Sequence, residues 1–138
     1  MIIIDTNVLS ELMQSESHRA VRHWARHVNA SERFTTSVTV AEVRYGIERL
    51  PEGRRKEALR TRADGVFAAF GHQILSFDAD AATYYPAVVI ARDTAGRPIE
   101  TFDAQIAAVC RAHGAALATR NVEDFEGLDL ELVDPWRV

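Results

Sequence analysis

The chain has 138 residues, 47% of them hydrophobic and 26% charged, with a formal net charge of −4. That balance suits one globular domain with a real core and excludes a general nucleic-acid coat protein, though not a local basic groove. One cysteine, Cys110, excludes an internal disulfide framework, and no apolar run reaches membrane-spanning length.

Ile2–Asp5 reads as a short strand buried on both faces, because it is β-branched and does not alternate. Polar Thr6 and Asn7 then offer a helix cap ahead of VLSELM. A helix is expected over Arg19–Val28, with Val21, Trp24 and Val28 on one face. RFTTSV is the next strand. In TVAEVRYGIERL, Val40, Val43, Ile47 and Leu50 recur at helical spacing until Pro51 and Gly53 break the pattern. A longer helix follows, with Leu59, Ala63, Val66, Phe67 and Phe70 as its stripe and Gly71 at its end. QILSF is a third strand.

Asp78 is the expected N-cap of a helix over Ala79–Thr94, which Pro86 should kink or divide. FDAQIAAVCRAH is a further helix with Phe102, Ile106, Val109 and Cys110 on its apolar side, stopped by Gly114. AALAT and LELV are the last strands. Strands alternating with helices imply a parallel sheet covered on both faces. No repeat or linker divides the chain, so one domain over residues 1–138 is expected, and without a secretion-type start it is expected in the cytoplasm.

A parallel sheet gathers the residues just past its strands onto one edge, where ligands bind. Asp5 follows the first strand and Glu42 lies in the first turn of the helix after the second. Asp103 opens the helix before the fourth strand, and Asn121 and Asp124 follow that strand. Acids meeting at one edge repel each other unless cations sit between them, and oxygen-only ligands suit Mg²⁺ or Mn²⁺. The implied chemistry is metal-assisted phosphodiester hydrolysis. Local alternatives exist for most of these acids. Glu42 lies three residues after Thr39, a capping-box spacing. Asp103 sits in a first helical turn, where the macrodipole favours an acid. Asp124 fits a loop or cap. Asp5 alone has no evident local role.

MIIIDTNVLSEL, TSVTVAEVRYGI, TFDAQIAAVCRAHGAALATRNVEDFEGL and the final DPW resemble the PIN-domain ribonucleases, most closely the VapC and FitB toxins of bacterial toxin–antitoxin pairs. The resemblance spans essentially the whole chain, with the motifs in order and spacing. It implies a PIN-like three-layer α/β/α sandwich and a Mg²⁺-dependent endoribonuclease acting as the toxin of a type II pair. Asp5, Glu42 and Asp103 then take the places of the family's metal-binding acids, and Thr6 supports the site. This chain has Asn121 where a fourth acid is common, which leaves Asp124 as a substitute. The resemblance further implies a homodimer, a VapB-like antitoxin, and promoter DNA bound only through that antitoxin.

Other signals are weaker. His23 and His27 have the spacing of a helical zinc pair, but Trp24 replaces the glutamate of a zinc-protease motif. Arg54, Arg55, Lys56, Arg60 and Arg62 form a basic cluster that is either a solvated helix face or a contact for RNA or a partner; Arg54, Arg55 and Lys56 are its candidate contacts. Two rival functions use the same fold: a DNA nuclease, which the lack of large insertions disfavours, and a non-catalytic binding module, which the intact acids oppose.

Overall fold

The structure, a computed structural model, describes residues 1–138. Five parallel strands form one sheet in the order β3-β2-β1-β4-β5, with β1 Ile2–Ile4, β2 Arg33–Thr36, β3 Ile74–Leu75, β4 Ala116–Ala118 and β5 Leu132–Val133. Six helices connect them: α1 Thr6–Leu12, α2 Arg19–His27, α3 Ser37–Glu48, α4 Arg54–Phe70, α5 Ala79–Thr94 and α6 Thr101–His113.

Central strand β1 explains the run of isoleucines. Ile3 belongs to a core formed mainly with α5 and α6, and Ile4 to a core formed with α1, α2, α3 and α4. Successive strand residues face opposite sides, so a strand covered on both faces needs apolar residues at every position. Both side chains are essentially fully buried, each worth about 1.5–3 kcal/mol of hydrophobic stabilisation. Ala104, Ala107, Ala108 and Cys110 of α6 are buried too, and their small side chains let α6 lie close against α5.

Several sequence expectations are corrected. β2 ends at Thr36, because the Thr36 hydroxyl accepts the Thr39 N–H and starts α3 at Ser37. Glu42 therefore lies in the second turn, and Thr39 and Glu42 form no capping box. Pro86 does not divide α5; Pro86 and Ala82, whose carbonyl loses the proline's missing N–H, both face solvent. Phe102 is 49% exposed rather than part of the core. Asp78 does cap α5, accepting the Ala81 N–H, and Gly114 closes α6 in the left-handed conformation glycine adopts readily. No helix is long and apolar enough to cross a membrane.

Candidate active site

Asp5 sits where β1 leaves the sheet, its N–H still in the ladder as a donor to the Ala118 carbonyl at 2.9 Å. Asp5 is 3% exposed. One carboxylate oxygen accepts the Thr6 N–H at 2.8 Å and the other the Thr119 hydroxyl at 2.7 Å. Asp5, not Thr6 or Asn7, is thus the N-cap of α1. The local role that the sequence did not reveal is this cap. Burial pushes the Asp5 carboxyl above the usual range, the two hydrogen bonds pull it back, and the charges of Glu42 and Asp124 push it up again.

Glu42 is held from α1. The Thr6 hydroxyl donates to it at 2.7 Å and stands 3.2 Å from the Thr39 hydroxyl, which lies 3.3 Å from that of Thr36. A chain of threonines therefore ties the start of α3 to the start of α1. Asp103, in the first turn of α6, is half-buried, and its pKa is pushed up to about 7 by burial and by Asp5, Glu42, Asp124 and Glu100. The fold therefore holds these carboxylates close enough for each to act on the others' charge.

Asn121 and Asp124 belong to the loop after β4. A short 3₁₀ turn over Val122–Phe125 carries Asp124 round, so that its charge bears on both Asp5 and Asp103. The Asn121 N–H donates to the Thr119 hydroxyl at 3.2 Å. The turn is held from behind by Arg92, a buried residue of α5 whose guanidinium donates to the carbonyls of Glu123 and Glu126 at 3.2 and 3.0 Å.

A divalent cation fits this donor set by its chemistry. The donors are hard oxygens, the acids have no basic partner, and Asp5 and Asp103 are raised by burial and by their acidic neighbours, both of which a cation would offset. As they stand, no three acidic, histidine or cysteine side chains close around one point. The arrangement is an open edge suited to Mg²⁺, which keeps several of its waters, rather than a closed cage.

The basic cluster divides. Lys56 is buried and donates to Glu52 at 2.6 Å and to the Glu48 carbonyl at 2.9 Å, so it is a structural strut and not a free contact for RNA. Arg60 holds Glu48 through two bonds of 2.7 and 2.6 Å, and Arg62 donates to the Met13 carbonyl. Arg54 and Arg55 stay exposed and unpaired. His23 and His27 are exposed, with His27 Nδ1 2.8 Å from the His23 carbonyl.

Sequence reasoning missed Thr119, Asn7 and Arg92. The Asn7 amide lies 3.4 Å from Asp5, and its carbonyl oxygen accepts the Arg120 N–H at 3.1 Å, clamping the loop after β4 onto α1. A hydroxyl closing the strand next to Asp5 was a signal available for Thr119. Arg92 left none, since arginine on an amphipathic helix reads as surface.

The PIN domain family matches residues 2–129, and the chain belongs to that family. It is 37% identical over 137 residues to the VapC ribonuclease Y4jK of Sinorhizobium fredii, covering 99% of this chain and 98% of the relative. It is 31% identical over 137 residues to Toxin FitB of Neisseria gonorrhoeae, covering 99% of each. The solved structure of FitAB bound to a DNA fragment superposes with a TM-score of 0.94 at 31% identity, covering 100% of this chain and 97% of that one.

Proposed function

We propose that this protein is a Mg²⁺-dependent endoribonuclease, with Mn²⁺ as an alternative ion, and the toxin of a type II toxin–antitoxin pair that arrests growth by cutting RNA in the cytoplasm. The observation that carries this reading is the edge at Asp5, Glu42, Asp103 and Asp124, where carboxylates repel one another with no basic side chain among them. Full-length similarity to proteins named as a VapC ribonuclease and a FitB toxin supports the substrate class and the role. The FitAB–DNA likeness supports a VapB-like antitoxin as partner and DNA bound by the pair; the same proposal takes that DNA as promoter DNA and the toxin as a homodimer.

In this reading Asp5, Asp103 and Glu42 hold the ion, and Asp124 assists where Asn121 offers only a carbonyl oxygen. When bound, the cation supplies Lewis acidity toward a phosphate and toward water. The chain's own contribution is preorganisation. Thr6 N–H and the Thr119 hydroxyl fix both oxygens of Asp5, and the Thr6 hydroxyl fixes Glu42. Without a cation, burial and the neighbouring acids hold the Asp103 pKa near 7, and a bound cation would favour its ionised form.

Purified protein assayed on RNA and on DNA, with and without Mg²⁺, tests the proposal. RNA cleavage that chelation abolishes is the expected result. Cleavage of DNA alone would overturn the substrate class, and no cleavage of either would leave a binding module.

A further inference from the structure

Beside Glu42 a pocket of about 210 Å³ opens between α1, α3 and the start of α4, lined in part by Ser10, Gln14, Gly46, Leu50 and Arg55. Helical spacing aligns it with the acidic edge. Ser10 follows Thr6 by one turn of α1, and Gly46 follows Glu42 by one turn of α3. Thr6 and Glu42 are bonded to each other, so the pocket begins where that pair ends.

Two of its residues lack a purpose within the chain. Gly46 lies inside α3, where glycine weakens a helix. A Cβ there would meet nothing within 4 Å, so no close packing demands glycine. What its missing side chain does is keep the pocket open next to Glu42. Arg55 is exposed and has no acidic partner, whereas its neighbours Lys56 and Arg60 are both engaged.

We propose that this pocket seats one unpaired base of the RNA, next to the phosphate being cut, and that Arg55 stacks on that base. The inference rests on the ribonuclease reading and deepens it. The size fits this occupant: sites for drug-sized ligands run from about 300 to 1,000 Å³, and 210 Å³ suits something smaller, such as one nucleobase. The lining suits it as well. Met13, Val43, Ile47, Leu50 and Leu59 supply the apolar part of the lining, while Ser10 and Gln14 carry donors and acceptors for a base edge. Single-stranded RNA is read by splayed bases of this kind, stacked on aromatic rings or on arginine planes.

The test compares wild type, Gly46→Leu and Arg55→Ala on a randomised single-stranded RNA pool with Mn²⁺, sequencing the cut ends and measuring kcat/KM. Thermal melting verifies that both variants fold, and fluorescent RNA oligomers measure binding in an Asp5→Asn background. Wild type should prefer particular bases at one position beside the cut. Each variant should lose about tenfold in kcat/KM, in line with one stacked base, and weaken the preference at that position alone. Folded variants with unchanged rate and preference would overturn the pocket while leaving the ribonuclease reading intact. Unchanged cleavage with weakened antitoxin binding would reassign the pocket to the partner, and also overturn it. Failure of wild type to cut any RNA would remove both readings together.

Discussion

At the carboxyl edge of the sheet, Asp5, Glu42, Asp103 and Asp124 take part in none of the molecule's ion pairs. Around α4 several charges are paired instead, Lys56 with Glu52, Arg60 with Glu48 and Arg44 with Asp64, although Arg54 and Arg55 are not. Both regions look charged and functional in the sequence. In the second, the fold supplies the counter-charges itself, mostly at the surface, where each such pair contributes little stability. In the first, carboxylates are partly taken out of water near one another, which costs free energy that a bound cation would offset. Density of charge is therefore a poor guide to function here, and lack of an internal partner is a better one.

The largest expected effect breaks the acidic region at its most buried member. Asp5→Asn should lower RNA cleavage at least about a hundredfold, since a metal's charge stabilisation is worth several kcal/mol. Asparagine caps helices as well as aspartate does, so the melting temperature should hold or rise. Cleavage rates and thermal melts of the same preparation check this; a folded, fully active variant would remove Asp5 from the site.

The Asp5 carboxylate is only as well placed as Thr119 makes it. Thr119→Val removes the hydroxyl that donates to Asp5 and accepts from Asn121. A drop of about ten- to a hundredfold in cation affinity or activity is expected, as for other residues that orient a ligand. Stability should fall by about 1–3 kcal/mol for the buried acceptor left unsatisfied. Calorimetric Mn²⁺ titration and denaturant melts measure the two losses separately.

The pH dependence of stability sharpens the contrast further. Burial and its acidic neighbours raise the Asp103 pKa from 3.8 to about 7, so ionising it penalises the folded state more than the unfolded chain. Without metal, stability should be highest below the unfolded value and decline as pH rises through that window, levelling off above it. Asp5 is shifted in the same direction. Asp103→Asn should flatten part of this slope, and Mn²⁺ should raise the melting temperature of wild type above pH 7 far more than that of the variant. Melting curves across pH, with and without Mn²⁺, decide it; a wild-type slope unchanged in Asp103→Asn would disprove the assignment.

The smallest effect on activity is expected in the compensated region. Lys56→Ala should cost about 1–2 kcal/mol through the lost charge-assisted bond to the Glu48 carbonyl, with RNA cleavage per folded molecule unchanged. A loss of cleavage without loss of stability would return Lys56 to the RNA-contacting set.

Much of the architecture was legible because it follows from periodicity. Ile2–Ile4 announced a strand covered on both faces, the stripe from Leu59 to Phe70 announced α4, and Asp78 and Gly114 marked where helices begin and end. The acids were legible as strand-end and helix-start residues of a parallel sheet. The boundary between β2 and α3 was not, because RFTTSV is uniformly strand-like in composition. The cap formed by the Thr36 hydroxyl chose the turning point there, and with it the role left to Glu42.

What the tertiary structure alone decided is which charges meet a partner. Thr119 reaches Asp5, and Thr6 reaches Glu42, across 114 and 36 residues of sequence. Arg92 and Lys56 are basic residues indistinguishable in local sequence from Arg55, yet the fold buries the first two against carbonyl groups and leaves the third beside an open pocket. Hydrophobic spacing is a property of neighbours along the chain and survives in the sequence. A hydrogen bond or a repulsion depends on distances of a few ångströms between remote segments, and those exist only once the sheet has brought its strand ends together.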